Sequence, residues 1–342
     1  MLPRILLCNL RFTHEHLGKL FNGLAEAVAM DSPTRADFLA GFRPGGKYAG
    51  TVGVYRRNVI STARIGVFDT EVIDALAAGG VKWIAHNGAG YDEVDIARCI
   101  EKGIYVSYVP GVADDATATA TLYLIISCLR NFSLAERSLR GHTWKAPVSA
   151  RLHVSHDLTT RTLGIVGLGG IGLRLAHLAR AFPMRVLYHS RSPRPSPEVP
   201  EWCTYVPVLK DLCAQADVLS LHVPFTQQTA GLIGEAEIRA MKPGSVLVNT
   251  ARGKVVDEDA VIRALEDGHL SSVGLDVYPS EPHINPRLLA FPQAVLLPHV
   301  AGESGDTEVL REVRALESLS AFLKGDPEAG RDLVPEMKGM IP

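Results

Sequence analysis

Residues 162–172 read Thr162-Leu163-Gly164-Ile165-Val166-Gly167-Leu168-Gly169-Gly170-Ile171-Gly172. An apolar run leads into Gly-x-Gly-x-x-Gly, and a helical pattern continues to Phe182. Strand, glycine turn and helix in that order form the turn that holds a dinucleotide pyrophosphate. Gly167 allows the tight turn, Gly169 lets a phosphate approach the backbone, and Gly172 lets helix and strand pack closely. The helix start adds unpaired N–H groups and the positive end of its dipole. A tight strand–helix turn without a ligand has the same spacing, so the flanking sequence decides.

Downstream, apolar runs at Val186–His189, Val218–His222, Val246–Asn249, Val273–Val277 and Val295–Leu297 alternate with helical patterns. That is the pattern of a doubly wound parallel sheet with crossover helices. Upstream, Ile5–Cys8, Val52–Tyr55, Trp83–His86 and Tyr105–Tyr108 read as parallel strands of a first α/β domain. Thr70 suits a helix start, with Val72, Ile73 and Leu76 on one face. A proline-free pattern from Asp114 to about Arg140 predicts one long helix that crosses between domains. Residues 141–160 read as a polar excursion. A last helix, Glu308 to Leu323, ends at Gly325-Asp326-Pro327, and residues 331–342 read as a loose tail. The expected fold class is α/β: two Rossmann-like doubly wound parallel-sheet domains with a cleft between them. The expected boundaries are 1–113 with 303–342 for one domain and 114–302 for the other.

Composition narrows the function classes. A chain of 342 residues suits two domains of roughly 100–200 residues each. Hydrophobic residues at 46% against 21% charged support a sizeable core. A net charge of -2 with no basic stretch argues against a nucleic-acid partner. No apolar run reaches the roughly 20 residues of a membrane span, and the run at residues 5–8 is too short for a signal sequence. Five cysteines without a CxxC spacing suit reduced, packed thiols in a cytoplasmic protein.

Ligands of open α/β sheets bind beyond the carboxyl ends of the strands. In the glycine-turn half, Arg252 follows one strand, Asp276 ends another, Glu281 lies in the next loop and His299 ends a third. Singly, these are a surface charge, a structural histidine and a solvated turn residue. Together they suit reduction of a 2-oxo acid by hydride transfer. Arg252 would grip the carboxylate and polarise the adjacent carbonyl. His299 would donate a proton to the oxygen, and Glu281 would orient the ring and favour its protonated form. Asp276 would fix the carboxamide of a nicotinamide. No His, Cys and carboxylate set has metal-ligand spacing, so no metal is expected.

The chain resembles the D-2-hydroxyacid dehydrogenase family, which includes glyoxylate/hydroxypyruvate reductases. The matching segments are Asn87–Asp92, Gly167–Gly172, His222-Val223-Pro224, Met241–Gly244, Asn249–Gly253, Gly274–Val277, Glu281-Pro282 and Pro298-His299. Residues 114–125 are similar to the same helix of fungal D-mandelate dehydrogenases. The resemblance implies that Ala89 and Gly90 give N–H groups to the substrate carboxylate beside Arg252 and His299. It implies cofactor contacts at Thr117, Gly167, Leu168, Gly169, Gly170, Ile171, Gly172, His222, Val223, Pro224, Thr229, Thr250, Ala251 and Asp276. It also implies a lid-like substrate domain, 1–113 with 303–342, a dinucleotide-binding domain, 114–302, and a homodimer. Three positions depart from the family's habit. Gly170 stands where Arg or Ala is common, Thr119 where an acidic residue is common, and Glu303 follows His299 closely. Glu303 is expected to face away at the start of the last helix, where the dipole tolerates it.

The second strand after the turn ends Leu187-Tyr188-His189-Ser190-Arg191-Ser192. An NAD site usually has an acidic residue there, roughly 20 residues past the glycines. Here Ser190 and Arg191, with Arg194 beyond, suit a 2′-phosphate, so NADPH is the expected cofactor and NAD a possible one. Two other readings stand beside this one: a D-mandelate-dehydrogenase-like enzyme for aromatic or branched 2-oxo acids, and a nucleotide-sensing protein like the C-terminal binding protein corepressors. A formate-dehydrogenase-like reading would require Gln in place of Glu281.

Overall fold

The computed structural model describes residues 2–57, 64–195 and 197–340. The chain divides into two units, Met1–Ala113 with Ser304–Pro342, and Asp114–Glu303. Glu303 therefore belongs to the second unit. The last helix, Gly305–Lys324, begins only after Ser304, whose side chain caps it by accepting from Thr307 N–H. Glu303 is exposed and lies just outside that helix.

The first unit is built on five strands: β1 (Arg4–Cys8), β2 (Glu26–Ala29), β3 (Thr51–Arg56), β4 (Trp83–His86) and β5 (Tyr105–Ser107). Their order is β2-β1-β3-β4-β5, and every pairing is parallel. Ile5, Leu6, Val54, Trp83 and Ile84 are fully buried, as expected where both faces of a parallel sheet are covered. The Gly305–Lys324 helix supplies Leu316 and Leu319 to this core. Gly53 makes the room, because a Cβ there would lie 2.5 Å from Leu319 Cδ1. Trp83 stacks on Phe322 with ring centroids 4.9 Å apart. The same helix buries Glu312, whose carboxylate accepts from Arg11, Phe12 and Thr13 N–H and from Thr13 Oγ1, all within 3.0 Å.

Three sequence expectations for this unit are corrected. The edge strand β2 was not expected, since its residues are mostly exposed and carry no apolar alternation. The Thr70–Ala78 helix is capped by Asp69, not Thr70, through Val72 N–H. Residues 331–340 are not a loose tail. Two 3₁₀ turns, Pro327–Asp332 and Pro335–Met337, bury Leu333, Val334 and Met337, and Val334 N–H bonds Val106 O at 3.0 Å. Ile341 and Pro342 lie outside the described residues.

The second unit has strands β6 (Thr162–Val166), β7 (Arg185–His189), β8 (Cys203–Tyr205), β9 (Val218–Leu221), β10 (Ser245–Asn249), β11 (Leu270–Leu275) and β12 (Val295–Leu296). The parallel order is β12-β11-β10-β9-β6-β7-β8. The order reverses between β6 and β9, which is where a doubly wound sheet opens a crevice at its carboxyl edge. The short edge strand β8 was not expected. The long helix is also not continuous. It runs Asp114–Arg130, breaks at Asn131 with φ 54, and resumes as Phe132–Arg140 at an angle of 74°. No proline marks the break. Asn is one of the few non-glycine residues that adopts the left-handed conformation readily. All five cysteines are buried and free.

Candidate active site

The glycine turn joins β6 to the helix Gly170–Arg180. Gly167 has φ +92, and a Cβ on it would lie 2.8 Å from His222 O. A Cβ on Gly172 would lie 2.3 Å from Gly167 O, so only glycine allows this helix to pack so close to the turn. Gly169 is the N-cap, has no side-chain capping bond, and has open space where its Cβ would be. Uncapped N–H groups at a helix start, beside a glycine with open space around it, suit a pyrophosphate. At Gly170 the side-chain space is taken by Asp114, whose Oδ2 would lie 1.7 Å from an added Cβ. Burial raises the pKa of that half-buried carboxyl.

Arg252 is positioned by an Asn-based turn. Asn249 Oδ1 accepts from Ala251 N–H at 3.0 Å, and Asn249 Nδ2 donates to Arg252 O at 2.9 Å. A Cβ on Gly253 would lie 2.0 Å from the Tyr278 carbonyl carbon, so this turn sits directly against the loop that carries Glu281. Glu281 Oε1 accepts from Tyr278 N–H at 2.8 Å, and its Oε2 lies 2.6 Å from His299 Nδ1. Burial alone would lower His299, but the Glu281 hydrogen bond and charge outweigh it and hold the ring above its ordinary range. Burial would raise Glu281, but His299, the Tyr278 N–H and the Arg252 charge hold it below its ordinary range. The structure thus brings Glu281 and His299 into direct contact, with Arg252 close enough to act on both electrostatically.

Asp276 has a structural role that the sequence reading did not include. It is buried, its Oδ1 accepts from Val300 N–H at 2.8 Å, and its Oδ2 accepts from Ala301 N–H at 2.9 Å. Its backbone carbonyl accepts from His299 N–H at 2.8 Å. His299 itself has φ 56, unusual for a non-glycine residue. Asp276 therefore clamps the turn that presents the His299 ring. Each carboxylate oxygen accepts one of these N–H groups and keeps a further lone pair. This clamp was not legible in the sequence, because 24 positions separate Asp276 from Val300.

Around the sheet's switch point, His222 Nε2 lies 2.8 Å from Ser220 Oγ, and burial pushes its pKa down to about 3, so the ring is neutral. Thr250 Oγ1 lies 2.9 Å from Thr121 Oγ1, and Thr121 Oγ1 also donates to Thr117 O at 2.7 Å. Thr229 Oγ1 donates to Pro224 O at 2.7 Å and shapes the loop after Val223. Thr119 is exposed. Beyond β7, Ser190 Oγ donates to Ser192 O at 2.6 Å, Arg191 is exposed, and Arg194 Nη1 donates to Leu168 O in the glycine turn. Arg194 thus ties the 190–194 loop to the phosphate-binding turn. In the first unit, Ala89 and Gly90 follow β4 in an accessible loop. Tyr55, Arg56 and Phe68 are fully buried groups of this unit. Among the described residues, no group of three or more His, Cys, Asp or Glu can hold a metal ion.

Comparison with known proteins agrees with this architecture. Residues 122–301 match the family model of the D-isomer specific 2-hydroxyacid dehydrogenase, NAD binding domain. The chain is 40% identical over 311 residues to 4-methyl-2-oxopentanoate reductase A of Aspergillus oryzae, which covers 91% of each protein. It superposes on the crystal structure of a glyoxylate reductase from Paecilomyes thermophila with a TM-score of 0.89, at 38% identity over 98% of this chain and 99% of that one. It also superposes on an NADPH-dependent glyoxylate/hydroxypyruvate reductase from Sinorhizobium meliloti, solved with NADP and malonate. There the TM-score is 0.80, at 29% identity over 99% of this chain and 98% of that one.

Proposed function

The chain belongs to the D-isomer specific 2-hydroxyacid dehydrogenases, a family of NAD(P)-dependent oxidoreductases of 2-oxo and 2-hydroxy acids, and from that premise we propose that it uses NADPH to reduce glyoxylate or hydroxypyruvate to the D-2-hydroxy acid. The carrying observation is the 2.6 Å contact between Glu281 and His299, with the Arg252 charge acting on both.

The chain's residues divide the work as follows. Glu281 occupies His299 Nδ1, which leaves Nε2 as the proton-donating atom. The Glu281 contact raises the ring's pKa and so favours the protonated form that gives its proton to the substrate oxygen. Arg252 binds the substrate carboxylate with its planar fork. Ala89 and Gly90 N–H groups add two uncharged donors to the same carboxylate. The glycine turn and the helix start at Gly170 hold the pyrophosphate, and the bound nicotinamide supplies the hydride. Ser190 and Arg191 carry the NADPH preference, because a hydroxyl and a cation suit a 2′-phosphate where an acidic residue would repel it.

A homodimer is part of this reading. Phe132, Leu139, Trp144 and Leu152 expose 49, 58, 70 and 63% of their surface between residues 132 and 152 of the second unit, apolar side chains that a second copy would cover.

NADPH oxidation is followed by absorbance against glyoxylate, hydroxypyruvate, phenylglyoxylate and 4-methyl-2-oxopentanoate, with NADH in parallel. Highest kcat/KM with glyoxylate or hydroxypyruvate and NADPH supports the reading. Highest values with the larger acids favour the second reading, a branched or aromatic 2-oxo acid reductase, to which the Aspergillus oryzae relative lends weight. No oxidation with any of them, in protein that binds NADPH, overturns both.

A further inference from the structure

β3 and β4 are adjacent parallel strands with Arg56 registered opposite His86, so their side chains share one face of the sheet. Both are buried, at 0% and 1% exposure. Arg56 Nη1 lies 3.1 Å from His86 Nδ1, and Arg56 Nη2 donates to Glu93 Oε2 at 2.9 Å. The guanidinium also sits over the Phe68 ring, 4.6 Å from its centroid. His86 Nε2 lies 2.8 Å from Gly90 O.

Donor and acceptor chemistry assigns the ring. A guanidinium has only donors, so His86 Nδ1 must accept. A carbonyl oxygen has only lone pairs, so Nε2 must carry the hydrogen and donate to Gly90 O. The pieces form one connected chain: Arg56 donates to both Glu93 and His86, and His86 donates to the Gly90 carbonyl.

That carbonyl belongs to the loop Gly88-Ala89-Gly90. The Gly88 carbonyl is anchored as well, by Val109 N–H at 2.9 Å. The Ala89 N–H lies in the peptide plane that carries the Gly88 carbonyl. The Gly90 N–H lies in the next plane, between the two anchored carbonyls. A glycine loop left unanchored has more backbone freedom to lose than any other sequence. Gly88 is itself dictated by the ring, since a Cβ there would lie 2.7 Å from His86 Nε2.

We propose that His86, backed by Arg56 and Glu93, is a positioning residue that fixes the Ala89 and Gly90 N–H groups for the substrate carboxylate. The inference rests on the 2-oxo acid reductase reading and extends it to buried residues outside the reacting centre. Its predicted signature is selective. Loss of the Gly90 anchor weakens carboxylate binding, while nucleotide binding and the proton donor in the other unit stay as they are.

The test compares His86→Ala, His86→Leu and His86→Gln in the full-length enzyme. Glutamine can still donate to the carbonyl and accept from Arg56. Leucine fills the space without either bond and keeps the test available should the alanine variant not fold. The expected result is a rise of about tenfold in KM for the 2-oxo acid in the alanine or leucine variant, the size of one lost hydrogen bond. A smaller change in kcat, an unchanged NADPH Kd and recovery of KM in the glutamine variant complete the expectation. A folded alanine or leucine variant with wild-type KM overturns the inference. So does a glutamine variant as impaired as leucine, which would reduce the site to packing. Failure of the wild-type enzyme to turn over any 2-oxo acid would instead overturn the function on which this rests.

Discussion

His299 Nδ1 and Glu281 Oε2 stand 2.6 Å apart, and each holds the other in its charged form. His299 is raised, so the protonated ring that reduction needs persists below its folded pKa and is lost as pH rises through it. We predict that kcat/KM for reduction is level at lower pH and falls on the alkaline side, with the oxidation profile inverted. In Glu281→Gln, burial and the Arg252 charge act on the ring against the Asp276 charge alone, so the falling limb moves to lower pH. His299→Ala should lower kcat by about 10²–10⁴-fold while NADPH affinity, read by fluorescence titration, is retained. A pH profile that is identical in wild type and Glu281→Gln would remove Glu281 from this role.

The Asp276 clamp has a separable signature. Asp276→Ala leaves the Val300 and Ala301 N–H groups without their acceptors. Equilibrium denaturation should show a loss of about 1–3 kcal/mol, and kcat should fall because the His299 turn is released. Asp276→Asn keeps one acceptor and should fall between. Wild-type stability and kcat in the alanine variant would contradict the clamp.

Cofactor choice is predicted to reside in Ser190 and Arg191. Ser190→Asp should move the NADPH/NADH ratio of kcat/KM towards NADH by about tenfold or more, the worth of roughly 1.4 kcal/mol of lost phosphate recognition. Arg191→Ala should weaken NADPH use and leave NADH use nearly unchanged. Steady-state kinetics with both cofactors reads the ratio directly, and a ratio unmoved in both variants would place the 2′-phosphate elsewhere.

Glu312 gives a stability prediction independent of catalysis. Its buried carboxylate accepts three backbone N–H groups and one hydroxyl from residues 11–13. Glu312→Ala should cost at least about 2 kcal/mol by denaturant midpoint, since those donors lose a charged acceptor together. Glu312→Gln, which keeps an acceptor oxygen, should cost less. Equal stability of all three proteins would mean water replaces the carboxylate.

Legibility of the fold followed burial. Runs such as Trp83–His86 and Val218–Leu221 are continuously buried and were readable as strands from composition alone. Glu26–Ala29 and Cys203–Tyr205 are edge strands, partnered on one side only, and their sequences carry little of that signal. Asn131 breaks a helix that the proline-free sequence predicts as continuous, because one left-handed residue suffices and Asn adopts that conformation readily. At the site, spacing identified Arg252, Glu281 and His299 as candidates. It could not show that Asp276 accepts from Val300 and Ala301, or that His86 reaches Gly90. Those relations depend on side-chain direction, which one sequence does not encode in its spacing.

The two units differ in how the chain supplies them. Asp114–Glu303 is one uninterrupted stretch, whereas the other unit needs Leu316, Leu319 and Phe322 from the far end of the chain to complete the core begun by Ile5, Gly53 and Trp83. During synthesis the nucleotide-binding half can therefore finish folding on the ribosome, while the N-terminal half, made first, must wait with an open face until the last helix emerges. Its vulnerable interval is the time taken to translate the intervening residues, and a chaperone binding the nascent chain would find its apolar target there.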